Sequence, residues 1–298
     1  MRHMGTTNPV RTVLVTGASS GIGHQVALRY AGRGCRLVLA ARGADGLARV
    51  AGECLAAGAA DVVVQPTDIG DRDQVQELFD VAVARYGGLD VVVQNAALAA
   101  FGRFTEVPAD VFDKVVATNV LGAANVSRCA ISHFRQRGAG QLVVVGSVLG
   151  QAAVPYMGAY VLSKFAITAL IRTLRQETRE MPGVVVHGVY PGAVDTPVYR
   201  VSANYFGRRA RVLPLSDPPS AVARAVVAAT ESGRSSERQV GWANYPMLAG
   251  YRLLPRVFDV LVGPLMRLGS FAREPQPPTP GNAFKRTDAT AVARSSPR

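Results

Sequence analysis

The chain has 298 residues, 48% hydrophobic and 18% charged, so it can bury a core as one domain and is too apolar to stay unfolded. Its formal net charge of +12 comes from dispersed arginines without a basic block or interleaved aromatics, which speaks against nucleic acid as a partner. Three cysteines (Cys35, Cys54, Cys129) show neither metal-ligand spacing nor an even disulfide framework, and the N-terminus lacks the apolar run of a signal peptide, so no metal and a cytoplasmic location are expected.

In chain order, residues 1–9 are expected to be a flexible N-terminus. Runs rich in Val and Leu follow at 11–16, 36–41, 61–65, 89–94, 141–147 and 184–190, nearly continuously apolar, as parallel strands buried on both faces are. Segments of helical period fit between them at 21–32, 44–58, 71–86, 110–136 and 158–181. This alternation predicts an α/β domain over 10–242, a doubly wound parallel sheet with helices on both faces. Residues 195–215 read as a loop with a short helix. Ser216-Asp217-Pro218-Pro219 reads as an N-cap with prolines in the first turn of a helix reaching Thr230, and 239–242 as a last edge strand.

Residues 243–271 form an apolar, amphipathic extension in which Val257, Val260, Leu261, Leu265 and Leu268 recur at helical spacing. Charges at Arg252, Arg256 and Asp259, with Pro255 and Pro264, argue against a membrane-spanning helix. Three uses are open, ranked as a cover for a pocket, a dimer interface, or a peripheral contact with a membrane surface. The proline-rich stretch 272–298 lacks apolar periodicity and is expected to be a disordered tail.

Two patterns carry chemistry. The first strand runs into Gly17, Ser19, Ser20, Gly21, Ile22 and Gly23 and then a helix. Glycines let the backbone turn tightly and approach a pyrophosphate, and the helix N-terminus offers N–H groups and its dipole. The spacing is Gly-x3-Gly-x-Gly, not the Gly-x-Gly-x-x-Gly of ordinary dinucleotide folds. The second pattern is Tyr160-Val-Leu-Ser-Lys164, a phenol and an ammonium on one helix face. Ser147 ends an apolar strand 13 positions upstream of Tyr160, and Asn119 precedes it in Thr118-Asn119-Val120.

Together these resemble the short-chain dehydrogenase/reductase family over roughly residues 10–240. The resemblance implies a Rossmann-like fold and hydride transfer between a nicotinamide and a carbonyl or secondary alcohol. Tyr160 would be proton donor and acceptor. Lys164 would lower the phenol's pKa from near 10 and bond the nicotinamide ribose. Ser147 would hold the substrate oxygen, and Asn119 a water linking Lys164 to solvent.

The resemblance also implies adenine contacts from Asp68 and Ile69 and ribose contacts from Asn95 and Ala96. It implies a nicotinamide carboxamide site from Pro191, Gly192, Val194 and Thr196. Gln94 and Ala97 depart from the family's Asn-Asn-Ala-Gly, and the methyl group of Ala97 puts local backbone geometry in question. Ala41 stands where NAD-using members often carry Asp, and Arg42 follows it. A guanidinium suits a 2′-phosphate, so NADP(H) is expected over NAD(H). The aromatics and arginines of 197–215 (Val198, Tyr199, Arg200, Tyr205, Phe206, Arg208, Arg209, Arg211) would form a substrate lid, and an apolar small molecule is the expected substrate. A homodimer or homotetramer is the assembly the resemblance implies. The alternative is a non-catalytic NADP(H) sensor or scaffold on the same fold; a third, an epimerase or dehydratase, has little room for a sugar nucleotide.

Overall fold

A computed structural model describes residues 10–213 and 215–285. The strands are β1 (Thr12–Thr16), β2 (Arg36–Ala41), β3 (Asp61–Pro66), β4 (Val91–Gln94), β5 (Ala100–Phe101), β6 (Gly140–Val145), β7 (Val184–Pro191), β8 (Ala203–Asn204), β9 (Arg208–Ala210), β10 (Glu237–Val240) and β11 (Phe271–Pro275). The helices are α1 (Gly21–Ala31), α2 (Ala44–Ala56), α3 (Arg72–Tyr86), α4 (Ala109–Val116), α5 (Ala123–Arg137), α6 (Gly158–Glu177), α7 (Val198–Val201), α8 (Pro219–Thr230), α9 (Asn244–Leu253) and α10 (Pro255–Ser270).

Seven strands form one parallel sheet in the order β10-β7-β6-β4-β1-β2-β3. Alternation along each strand divides its side chains between two cores. Val13, Val15, Leu37, Leu39, Val91 and Val93 face one side, where α1 and α8 pack. Leu14, Val38, Val92, Leu142 and Val144 face the other, against residues of α3, α5 and α6. The strand order reverses between β1 and β4, and ligands of open α/β sheets bind at the carboxyl ends beside such a switch.

The helix expected over 110–136 is instead divided by a π-helical segment, Ala117–Gly122, between α4 and α5. Gly122 lies against Ile69, where an added side-chain carbon would come 2.8 Å from its Cγ1. At the start of α8 the N-cap is Pro218, without a side-chain bond, while Asp217 bridges to Val194.

The expectation of disorder from 272 onward is corrected up to residue 285. β11 pairs with β9, the Thr279 and Asn204 backbones bond each other in both directions, and Ala283 is buried. Apolar periodicity missed this stretch because main-chain bonds hold it more than an apolar face does. The expectations for residues 1–9 and 286–298 lie outside the described residues.

Candidate active site

A cleft of about 790 Å³ opens at the carboxyl ends of the strands. Its first wall is the turn from β1 to α1, with Gly17, Ser19, Ser20, Gly21 and Ile22 on the surface. Gly17 (φ 67°) and Gly21 (φ 56°) occupy the left-handed region. A side-chain carbon on Gly17 would come 2.9 Å from the Ala96 Cα, so the loop has no room for one. Gly23 does not line the cleft. A carbon there would come 2.2 Å from the Gly17 carbonyl oxygen, so this glycine lets α1 sit against the loop. The first turn of α1 has no acidic residue, and its N-cap, Ser20, makes no side-chain capping bond. The positive end of the helix dipole is therefore left for an anion.

Thr16 latches this loop to the end of β4. Its hydroxyl donates to Gln94 Oε1 (2.6 Å) and accepts from the backbone N–H groups of Asn95 (3.0 Å) and Ala96 (3.1 Å). Gln94, a departure from the family pattern, completes the latch by donating to the Ala96 carbonyl (3.1 Å). The Asn95 amide donates to the Thr16 carbonyl (3.1 Å), so its side chain holds the glycine loop. Ala97 raises no backbone difficulty: Tyr156 is the only non-glycine residue with positive φ among the described residues.

At the other end, Arg42, Asp68 and Ile69 line the cleft. Burial raises the Asp68 carboxyl, but bonds from Lys114 Nζ (2.9 Å) and the Gly70 N–H (2.9 Å), with the charges of Lys114 and Arg42, bring it below its ordinary range. The Arg42 guanidinium donates to the carbonyls of Asn282 (2.6 Å) and Ala283 (3.0 Å), and burial lowers its pKa. Asn282 also lines the cleft, and its own N–H bonds the Val201 carbonyl (2.8 Å). This contact of the tail was not legible in the sequence, because Arg42 and Asn282 are 240 residues apart.

Ser147, Tyr160 and Lys164 meet in one buried corner of the cleft. Burial raises the Tyr160 phenol, and a hydrogen bond with Ser147 opposes that rise. The Ser147 hydroxyl also accepts from the Leu149 N–H (3.1 Å). Lys164 is 4% exposed, donates to the Val145 carbonyl (3.0 Å), and lies 5.6 Å from the centre of the Tyr160 ring. Burial lowers its ammonium from the ordinary 10.5 to about 8. In the protein alone burial sets the direction of the phenol's shift.

Asn119 lies behind the cleft surface, in the π-helical segment. Its amide donates to the Leu98 carbonyl (2.9 Å) and Ser163 Oγ (2.9 Å) and accepts from the Leu98 N–H (2.7 Å). Both of its N–H donors are thus engaged within the protein.

Across from Tyr160, Pro191, Gly192, Val194 and Thr196 line the cleft after β7. Buried Asn244 braces this segment, donating to the carbonyls of Tyr190 (3.1 Å) and Val240 (3.0 Å).

An aromatic cluster packs beside Tyr160 and Tyr199, the two tyrosines that line the cleft. Tyr199 lies stacked near Phe101 (6.1 Å between centroids), and Phe206 stacks on Phe271 at 3.7 Å with Tyr156 edge-on at 4.9 Å. Val262 and Met266 of α10 pack on the same cluster, and no residue of 243–271 lines the cleft. Burial, with the charges of Tyr160 and Asp195, pushes Tyr199 up to about 12. Phe101, Tyr156 and Phe271 belong to no motif and are joined only by tertiary packing, so the sequence offered no signal for them. Two arginines of the expected lid are engaged elsewhere. Arg211 donates to the carbonyls of Leu268 (2.6 Å) and Gly269 (3.0 Å) near the end of α10, and Arg209 pairs with Glu274 (3.2 Å).

Residues 11–204 match the sequence profile of the family described as short chain dehydrogenase. An uncharacterized oxidoreductase of Bacillus subtilis (strain 168), YxnA, is 30% identical over 92% of this chain and 77% of its own length. An 11-beta-hydroxysteroid dehydrogenase A of Arachis hypogaea is 35% identical over 63% of this chain; the match spans 53% of that relative. Among solved structures, an alcohol dehydrogenase from the archaeon Thermococcus sibiricus, complexed with 5-hydroxy-NADP, is 30% identical with a TM-score of 0.67 over 78% of this chain and 96% of its own. With its parallel sheet, glycine loop and Ser147–Tyr160–Lys164 corner, the chain belongs to the short-chain dehydrogenase/reductase family and is an NAD(P)-dependent oxidoreductase.

Proposed function

We propose that the chain interconverts a carbonyl and a secondary alcohol on an apolar small molecule, with NADP(H) as cofactor and Tyr160 handling the proton. The observation that carries this reading is the corner of the cleft where Tyr160, Ser147 and Lys164 meet, beside an aromatic cluster. A dinucleotide fits the residues present. A side-chain carbon would fill the glycine loop, the first turn of α1 carries no carboxylate, and a guanidinium lines the far end. The bound cofactor would supply or accept a hydride.

Gly17, Ser19, Ser20, Gly21 and Ile22 would hold the pyrophosphate, and Asp68, Ile69 and Ala96 the adenosine side. Pro191, Gly192, Val194 and Thr196 would hold the carboxamide, and Lys164 the ribose hydroxyls. Ser147 would bond the substrate oxygen and fix its position. Tyr160 would give its proton to the carbonyl oxygen in the reductive direction and take it back in the oxidative one. The positive charge of Lys164 favours the phenolate left behind. A binding-only sensor has no use for a buried lysine beside a buried phenol. The aromatic cluster beside the cleft, and the steroid named for the Arachis relative, support an apolar substrate.

The test is NADPH oxidation over a panel of apolar ketones and aldehydes, beside Tyr160→Phe. Turnover should fall by about 10³, the upper part of the range for a general acid, with NADPH affinity unchanged. Retained turnover in the variant, or tight NADPH binding without turnover across apolar, acyl and sugar carbonyls, would overturn the reading.

A further inference from the structure

Nine of the eighteen large hydrophobic residues exposed among the described residues lie between Trp242 and Leu268, in α9, α10 and their junctions. On α10, at about 100° per residue, Val257, Val260, Leu261, Leu265 and Leu268 share one side. They are 51% to 73% exposed. Phe258, Val262 and Met266 share the other side; Phe258 meets Tyr251 of α9 (5.3 Å), and Val262 and Met266 meet the aromatic cluster. The helix is thus apolar on two opposite sides, and only the inner one is covered. Trp242 (67% exposed) and Tyr245 (64%) extend the outer surface at the start of α9, and Leu253 (77%) and Leu254 (59%) carry it across the junction.

The charges beside this surface are of one sign. Arg256 and Arg267 are exposed and eleven residues apart, about three turns, so their backbone positions lie on one line along a flank of the apolar strip, with the Arg267 guanidinium also over the Tyr156 ring (5.9 Å). Arg252 is exposed at the end of α9. The acidic residue of α10, Asp259, falls toward the inner side of that line. An apolar strip flanked by arginines, with Trp and Tyr at its edge, suits a layer of acyl chains under anionic headgroups. A second copy docked through a two-fold axis would set this basic flank against itself. No helix among the described residues is long and apolar enough to cross a membrane, so the contact would lie in the surface plane.

We infer that the outer face of α9 and α10 docks onto anionic lipid membranes as a peripheral anchor. The anchor places the aromatic cluster, on which the inner side of α10 packs, one helix thickness from the lipid. The peripheral contact ranked last among the three uses of this extension is thereby the one its outer face fits. Docking is independent of turnover and can be read without cofactor or substrate.

The test is co-sedimentation of the full chain with phosphatidylcholine vesicles, with and without about one quarter phosphatidylglycerol. Anionic vesicles should carry the protein down and neutral vesicles should bind it at least tenfold less; raised salt should release it. Arg256→Glu with Arg267→Glu should weaken binding by about fivefold or more per site. Leu261→Glu with Leu265→Glu should weaken it at least tenfold, with NADPH binding and circular dichroism unchanged as evidence of folding. Failure to bind anionic vesicles would overturn the inference. So would equal binding to neutral and anionic vesicles, or vesicle binding that both pairs of substitutions leave intact. A dimer in solution that Leu261→Glu with Leu265→Glu dissociates, without vesicle binding, would give the face to a second copy.

Discussion

Replacing Lys164 by methionine should abolish turnover and change stability in a way that depends on pH. Burial lowers the ammonium from 10.5 to about 8, so at pH 7 the folded chain holds a charge it would rather lose. That shift of about 2.5 units corresponds to about 3 kcal/mol of destabilisation at neutral pH. Methionine has similar length, no charge and no donor, so it removes this term but leaves the Val145 carbonyl, now bonded at 3.0 Å, without its partner. The loss of that bond costs about 1–3 kcal/mol. The two nearly offset at pH 7, with the variant equal to or slightly more stable than the parent.

The pH dependence separates them. Between pH 8 and 10.5 the unfolded lysine still holds its proton and the folded one does not, so the parent gains stability as pH rises and the variant does not. Relative to the parent, the variant should lose roughly 2–3 kcal/mol between pH 7 and pH 10, and the unsatisfied carbonyl contributes equally at both. Groups that titrate in both proteins cancel in the difference. Urea unfolding of both proteins at pH 7, 8, 9 and 10 measures it. A stability difference that stays flat across this range would refute the assignment of a buried ammonium with a lowered pKa.

Two further outcomes follow from the cleft. Ala41→Asp should set a carboxylate beside the proposed 2′-phosphate site, and the ratio of kcat/KM for NADPH to that for NADH should fall at least tenfold; a ratio that does not move would remove the NADP(H) assignment. Gly23→Ala would place a carbon 2.2 Å from the Gly17 oxygen, so the loop must shift. Equilibrium titration should show dinucleotide affinity reduced by about 1–3 kcal/mol while the sheet's thermal unfolding stays cooperative, and unchanged affinity would mean the loop yields at no cost.

The parallel sheet was legible because its strands are buried on both faces, and such strands announce themselves as unbroken runs such as Leu142-Val143-Val144-Val145. The corner of Ser147, Tyr160 and Lys164 was legible because two of its members share a helix face and the third ends a strand. Less legible were features made of main-chain bonds or distant packing. The π segment at Ala117–Gly122 keeps a helical pattern of side chains while altering the backbone ladder. The return of residues 279–283 across β8 and α7 rests on backbone pairing, which leaves no periodicity to read. Spacing reports the lysine beside Tyr160 but not how deeply the lysine is buried.

The carbonyl oxygens of Asn282 and Ala283 rest on the same guanidinium that the proposed function gives to a phosphate. Two sets of acceptors then claim one fork of donors, and the tail, tied to the fold at Asn204 and Val201, acts as a tethered competitor at high effective concentration. A phosphate arriving at Arg42 would gain only what its own charge adds, because the guanidinium already makes charge-assisted bonds to the two carbonyls it would displace. Discrimination between the phosphorylated and unphosphorylated dinucleotide is thereby compressed, and a chain with the arginine of an NADP(H) enzyme can retain measurable use of NAD(H).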